Sequence, residues 1–225
     1  MLIVVGVIVG LMIYTFNKKY IMNKEHIDSC ISRAELGESK LSPDVLGITG
    51  WSSPKIKHFL NNICSLPDIN YLEIGCWRGS TFVSALFGNN VVNAVGIDNF
   101  SEFDGHGEFE KNCKNFGLQN YTFINKDCFT VDLSTLPRFD IYFYDGCHAE
   151  EAQEKALTYF DPVLKDRCII MIDDWNWSFV QAGTLKALEK LNYKIEHRVE
   201  FTNGGNDRNH WWNGLLILLV NKEAK

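Results

Sequence analysis

A doubly wound α/β sheet of about seven strands, mostly parallel, with helices on both faces, is the fold this sequence predicts. Three observations carry the prediction. Short β-rich runs alternate with helix-like runs from Tyr71 to Leu191. The strand candidates are nearly continuously apolar, as expected when both faces of a parallel sheet are covered. The last two β-rich runs, "YKIEHRVEF" and "WWNGLLILLV", are separated by "TNGGNDRNH", which has no room for a helix, and they read as a C-terminal antiparallel hairpin. An apolar content of 46% and a charged content of 22% in 225 residues suit one sizeable domain with an appendage.

The elements follow in order. "MLIVVGVIVGLMIYTF" is an uncharged, mostly apolar opening, slightly short for a span of about 20 residues. It lacks the basic start and small-residue cleavage site of a secretory signal. Lys18, Lys19 and Lys24 follow it, which suits an anchor for residues 1–21, associated with a membrane through residues 2–16 and holding the domain on the cytosolic side. Two other readings stand against the anchor: a helix packed on an otherwise cytoplasmic domain, or an upstream start that added residues before Met22. Residues 22–50 are polar and irregular, with "GESKLSPD" as a linker, so the domain is expected over 51–225. "SSPKIKHFLNNIC" opens a helix with Ser53 as its cap and Pro54 in its first turn. Ile56, Phe59, Leu60 and Ile63 give it one apolar face. Strands are expected at Tyr71–Gly75, Val91–Ile97, Tyr121–Ile124, Asp140–Asp145 and Cys168–Ile172, and helices between them at Thr81–Phe87, Phe109–Phe116, Ala149–Phe160 and Phe179–Leu191.

Charge and cysteine usage exclude some functions. A formal charge of −6 without basic clustering argues against a nucleic-acid surface. The seven cysteines are scattered and none forms a C-x-x-C pair, so zinc-ribbon and thioredoxin-type motifs are absent and reduced thiols are expected.

In an open α/β sheet, ligands bind beyond the carboxyl ends of the strands. The first strand ends in "LEIGCWRGST", where Gly75 and Gly79 permit a tight turn and close backbone approach to a ligand. The spacing is Glu-x-Gly-x-x-x-Gly instead of the G-x-G-x-x-G that suits a pyrophosphate. Glu73 would repel a pyrophosphate but accept a hydrogen bond from an amino group. The second strand ends at Asp98, about twenty residues on, where a carboxylate accepts from ribose hydroxyls. The third ends at Asp127, placed to read an adenine amino group. Asp145 closes the fourth, and Asp173 and Asp174 the fifth. Three carboxylates in one crevice repel one another unless a cation sits there, and hard oxygen ligands suit Mg²⁺. One Asp of the adjacent pair is expected as a ligand and the other as a cap for the following helix. His148 starts a helix and is a candidate general base. Trp175, Trp177, Trp211 and Trp212 offer flat apolar surface for an acceptor, with core packing favoured for the last two.

"YLEIGCWRGST", "VGIDNF", "KDCF", "YDGCH" and "IIMIDDWNW", in this order, resemble class I S-adenosylmethionine-dependent methyltransferases, a Rossmann-like fold, from about Ser52 to the end of the chain. D-G-x-H followed by D-D-W is most similar to the small sugar and natural-product O-methyltransferases, which grade into macrocin O-methyltransferase and cephalosporin-hydroxylase-like groups, many of them Mg²⁺-dependent. The resemblance implies that Glu73, Gly75 and Gly79 hold the methionine part of S-adenosyl-L-methionine, Asp98 the ribose and Asp127 the adenine end. Cys76, Trp77, Ser80, Asn99, Cys128 and Asp145 complete the implied cofactor set. Asp145, Asp173 and Asp174 would hold Mg²⁺, with His148 and Asp145 at the acceptor hydroxyl of a sugar or other small metabolite. Cys147 stands where relatives often carry an acidic residue, which leaves the ligand set open. Two other functions compete: an NAD-dependent oxidoreductase on a similar sheet, and a membrane-tethered module that binds the cofactor without catalysis.

Overall fold

The structure is a computed structural model that describes residues 22–202 and 205–222. The expected anchor, residues 1–21, lies outside the described residues. Among those described, no helix is long and apolar enough to cross a membrane.

The expected linker is corrected. Asn23 caps a helix α1, Lys24–Glu35, by accepting from the His26 N–H. Its Ile27, Cys30 and Ala34 are buried against the next long helix. A short α2, Pro43–Leu46, follows behind the Ser42 cap. Helix α3, Pro54–Ile63, starts as expected, with Ser53 accepting from the Ile56 N–H at 3.3 Å.

The α/β part runs β1 (Asn70–Ile74), α4 (Ser80–Leu86), β2 (Asn93–Ile97), α5 (His106–Asn115), β3 (Tyr121–Ile124), β4 (Phe139–Tyr144), α6 (Glu150–Thr158), β5 (Leu164–Asp173), α7 (Ser178–Leu191), β6 (Lys194–Phe201) and β7 (Leu215–Asn221). The sheet order is β3-β2-β1-β4-β5-β7-β6, and β7 alone runs opposite to the other six strands. Val91 and Val92, expected in the second strand, precede it. Trp211 and Trp212, expected on the last strand, lie in the turn before it.

Side chains alternate across the sheet, so β1, β2, β4, β5 and β7 each feed two cores. Tyr71, Ile141, Phe143, Ile169, Met171 and Ile217 pack under α1, α3, α4 and α5. Leu72, Ile74, Tyr142, Tyr144, Ile170, Ile172 and Leu216 pack under α6 and α7. Burial on both faces explains the lack of polar alternation in these strands. All seven cysteines are free thiols, as expected.

The topological switch lies between β1 and β4. From β1 the chain winds toward β3, and from β4 toward the other edge. The loops leaving β1 and β4 therefore diverge and leave a crevice at their shared end.

Candidate functional site

The crevice opens into a cavity of about 870 Å³. Its floor is the contact between the ends of β1 and β4. Gly75 has φ +86°, and a Cβ there would lie 1.9 Å from the Asp145 carbonyl oxygen, so no side chain fits. The Asp145 N–H bonds to Ile74 O at 2.8 Å and the Gly75 N–H to Ile97 O at 2.9 Å, which ties the three strand ends together. Gly79, at φ +77°, begins α4.

Asp98 organises the loop between these glycines. Its carboxylate accepts from the Trp77 N–H at 2.7 Å through one oxygen and from the Phe100 N–H at 2.7 Å through the other. Trp77 is held at φ +39°, a costly conformation for an aromatic residue, and this bond helps hold it there. The Trp77 ring stands with Trp51 and Phe103 at centroid distances of 4.9 Å and 5.8 Å. The Arg78 guanidinium lies 4.6 Å from the Trp77 ring centroid and pairs with Glu108 at 2.5 Å.

Gly75, Cys76, Trp77, Ser80, Asp98, Asn99, Asp127, Cys128, Asp145, His148 and Asp174 all line the cavity. Asp127 caps the turn Cys128–Thr130 by accepting from the Phe129 N–H at 2.9 Å. Burial pushes the Cys128 thiol up to about 12.

Glu73, expected to meet the cofactor, lies beneath the loop and does not line the cavity. Its two oxygens accept from Tyr71 Oη at 2.5 Å and Thr81 Oγ1 at 2.7 Å. Burial pushes its carboxyl up to about 7, against the pull of those two bonds. Side-chain alternation explains the correction: Tyr71 and Glu73 face the α4 side of β1, under the glycine loop. Gly79 likewise shapes the loop from outside the cavity wall.

The second wall carries the crowded charges. Donor atoms of Asp145, His148 and Asp174 lie within 4.8 Å of one another. His148 Nε2 stands 2.7 Å from Asp174 Oδ2, yet makes no aligned hydrogen bond. Asp174 Oδ1 is buried and accepts no hydrogen bond among the described residues. Asp174 is also held at φ +53°. Burial, with Asp173 and Asp174 beside it, holds the Asp145 carboxyl well above the usual carboxylate range. Asp173 is raised as well, by burial and by Asp174.

Two expectations change here. Asp173 is the last residue of β5, 2% exposed, and does not line the cavity; His148 takes its place in the donor group. Neither Asp caps α7, whose N-cap residue is Trp177 and makes no side-chain cap. The tryptophans divide: Trp175 and Trp211 are buried, with indole N–H bonds to Glu200 and Glu35, whereas Trp177 and Trp212 line the cavity.

Sequence reasoning missed Trp51, Phe103, Arg208 and Asn213, which also line it. They sit in segments without periodicity, and only tertiary contact brings them to the crevice.

A divalent cation fits the donor group. Two carboxylates and an imidazole converge without bonding one another in register, and one carboxylate oxygen is buried without a partner. The imidazole makes Mn²⁺ as suitable a guest as the Mg²⁺ an all-oxygen set would favour.

Residues 72–175 match a family model described as a methyltransferase domain. No curated protein matches the chain in sequence. Solved structures match in fold. PaMTH1 of Podospora anserina, bound to SAH, gives a TM-score of 0.56 at 13% identity, over 89% of this chain and 97% of that one. Magnesium protoporphyrin IX methyltransferase (ChlM) of Synechocystis, with bound SAM, gives 0.55 at 14% identity, over 84% and 88%. TrmK of M. capricolum, in complex with S-adenosyl-homocysteine, gives 0.51 at 18% identity, over 72% and 67%. With the sheet order, the glycine loop and this match, the chain has the fold of the class I S-adenosylmethionine-dependent methyltransferases.

Proposed function

We propose that the protein transfers the methyl group of S-adenosylmethionine to a hydroxyl of a sugar or other small acceptor, with a divalent cation held by Asp145, His148 and Asp174. One observation carries the reading. The Gly75 loop, Asp98 and Asp127 line the same cavity as the converging donors of Asp145, His148 and Asp174. The G-x-G-x-x-G turn of an NAD site is absent.

The first wall would receive the donor. The Gly75 backbone permits close approach of its amino-acid end, and Asp98 and Asp127 offer acceptors to its nucleoside end. The sulfonium makes the methyl electrophilic, so the protein's task is to align the acceptor oxygen with it. A bound cation would supply Lewis acidity that lowers the hydroxyl pKa. His148 and Asp145 face the point where the hydroxyl proton leaves. Trp177 and Trp212 line the same cavity and would offer the acceptor a flat apolar surface.

The test is calorimetry with S-adenosylhomocysteine and NAD, followed by turnover of labelled S-adenosylmethionine on hydroxylated acceptors with EDTA, Mg²⁺ or Mn²⁺. The expected result is S-adenosylhomocysteine binding without NAD binding, and turnover that EDTA abolishes and a divalent ion restores. NAD binding alone overturns the reading. EDTA-resistant turnover removes the cation and leaves His148 as a base beside Asp174.

A further inference from the structure

The connection between β6 and β7 packs beside the acidic wall. The Asn176 N–H bonds to Asn213 O at 2.8 Å, which ties this connection to the loop that follows Asp174. Trp211 anchors it from below, stacked on Phe201 at 3.9 Å and 8° and bonded to Glu35 Oε1 at 2.5 Å. Gly214 closes the anchor at φ +91°, where a Cβ would meet Phe201 O at 2.4 Å. Trp212 is held at φ +37° and turned to the cavity. So much fixed backbone presents one cation, Arg208.

Arg208 lines the cavity with its guanidinium 5.5 Å from the Trp212 ring centroid. Among the described residues no carboxylate pairs with it, and its one hydrogen bond, to Gly50 O, is long at 3.4 Å. The neighbouring Asp207 faces His210, at 3.7 Å. Behind Arg208 lies a second cation, the buried Lys57, whose ammonium donates to Leu46 O and Ile48 O at 2.9 Å each. Burial and then the Arg208 charge depress Lys57 to about 8. Arg208 therefore brings to the cavity a positive charge that no carboxylate pairs with among the described residues, in a cavity also lined by Arg78 and Lys126.

We propose that Arg208, backed by Trp212, selects acceptors bearing an oxyanionic group, a carboxylate or a phosphate, and so sets the specificity of the acceptor end. A planar guanidinium binds such oxygens through paired hydrogen bonds. The guanidinium also fixes orientation: with the anion held at Arg208, the hydroxyl end is left to face His148. The inference rests on the methyl-transfer reading.

Binding is measured to the protein saturated with S-adenosylhomocysteine and Mg²⁺, with 3,4-dihydroxybenzoate against its methyl ester and glucose 6-phosphate against glucose. At least one anionic probe should bind roughly tenfold more tightly than its neutral partner. R208M should erase the difference, R208K should restore part of it, and S-adenosylhomocysteine affinity should stay unchanged in both. Arg208 is exposed and makes only one long hydrogen bond, so these variants should fold. Equal binding of both pairs, no binding of any probe, or a preference that survives R208M overturns the proposal. Failure of the unaltered protein to bind S-adenosylhomocysteine would instead overturn the methyl-transfer reading.

Discussion

The two walls of the cavity both present carboxylates but treat them in opposite ways. On the β1–β2 side, Asp98 accepts two backbone N–H groups and Asp127 one, and even the buried Glu73 has a hydroxyl donor on each oxygen. On the β4–β5 side, Asp145, Asp173 and Asp174 crowd together, Asp174 Oδ1 has no partner among the described residues, and Asp174 itself is strained. The first wall is satisfied by its own fold and reads as a preformed receptor. The second is frustrated by its own fold and is relieved by positive charge from outside. Such local conflict is a mark of function when the surrounding core holds it in place.

The sharpest way to break the contrast is D174N. Asn tolerates φ +53° nearly as well as Asp, so the backbone should hold. Loss of one ligand charge should reduce methyl transfer roughly 100- to 10,000-fold, the range expected for a central catalytic group, while leaving S-adenosylhomocysteine affinity within about twofold. The melting temperature of the metal-free protein should rise, because a repelled charge is gone. Unchanged turnover would remove Asp174 from the chemistry, and a fall in melting temperature would refute the claim of frustration.

The two walls meet at Gly75, and G75A strikes both. A methyl there collides with the Asp145 carbonyl at φ +86°. Either the β1 and β4 ends separate or the loop is rebuilt, at a cost on the order of 4 kcal/mol by the scale of severe core substitutions. Urea denaturation should show that loss, and S-adenosylhomocysteine binding should disappear with it. A stable variant that still binds the ligand would show that the two strand ends are not held as described.

How far this contrast was legible in the sequence differs by wall. The strand-end carboxylates and the two glycines stand out because each follows an apolar run and punctuates it. Which member of an adjacent pair faces the cavity does not stand out. Asp173 and Asp174 exchange roles if β5 ends one residue earlier, and strand ends are set by pairing with β7 instead of by local sequence. The same parity hid the placement of Glu73 under the loop. Helix α1 escaped notice because its apolar stripe, Ile27, Cys30 and Ala34, is narrow in an otherwise polar run. Arg208 carries no periodic signal at all and becomes visible only once Trp211 and Gly214 fold its segment back over the crevice.

Glu73 tests whether the first wall is as relaxed as its hydrogen bonds suggest. Its carboxyl is raised to about 7 from the ordinary 4.5, so the folded protein holds that proton more tightly than the unfolded chain. The native state then binds more protons between these values, and stability falls as pH rises through that window. With about 1.4 kcal/mol per unit, the full loss is about 3 kcal/mol by pH 8. E73Q removes the ionisation and keeps a partner for both hydroxyls. Its stability should be flat across this range where the parent declines, and at pH 8 it should be the more stable protein. Parallel pH profiles would mean that the Tyr71 and Thr81 bonds hold the anion without cost, and the two walls would differ even more than described.

The smallest expected effect belongs to Asp98, and it separates receptor from scaffold. D98N keeps one carbonyl oxygen and replaces the other by an amide, so one of the Trp77 and Phe100 N–H groups loses its acceptor. An unmade bond to a partly buried backbone donor costs about 1–2 kcal/mol. If Asp98 only braces the loop, that cost appears in global stability, and S-adenosylhomocysteine binds as before once the protein is folded. If its lone pairs also receive ribose hydroxyls, the affinity should fall roughly tenfold. Adenine alone, which lacks the ribose, should then bind both proteins equally. Adenine binding lost in proportion would show that D98N had distorted the loop as a whole. A selective loss of the nucleoside would show that the carboxylate serves its backbone and its ligand together, which is possible because each of its oxygens carries a second lone pair.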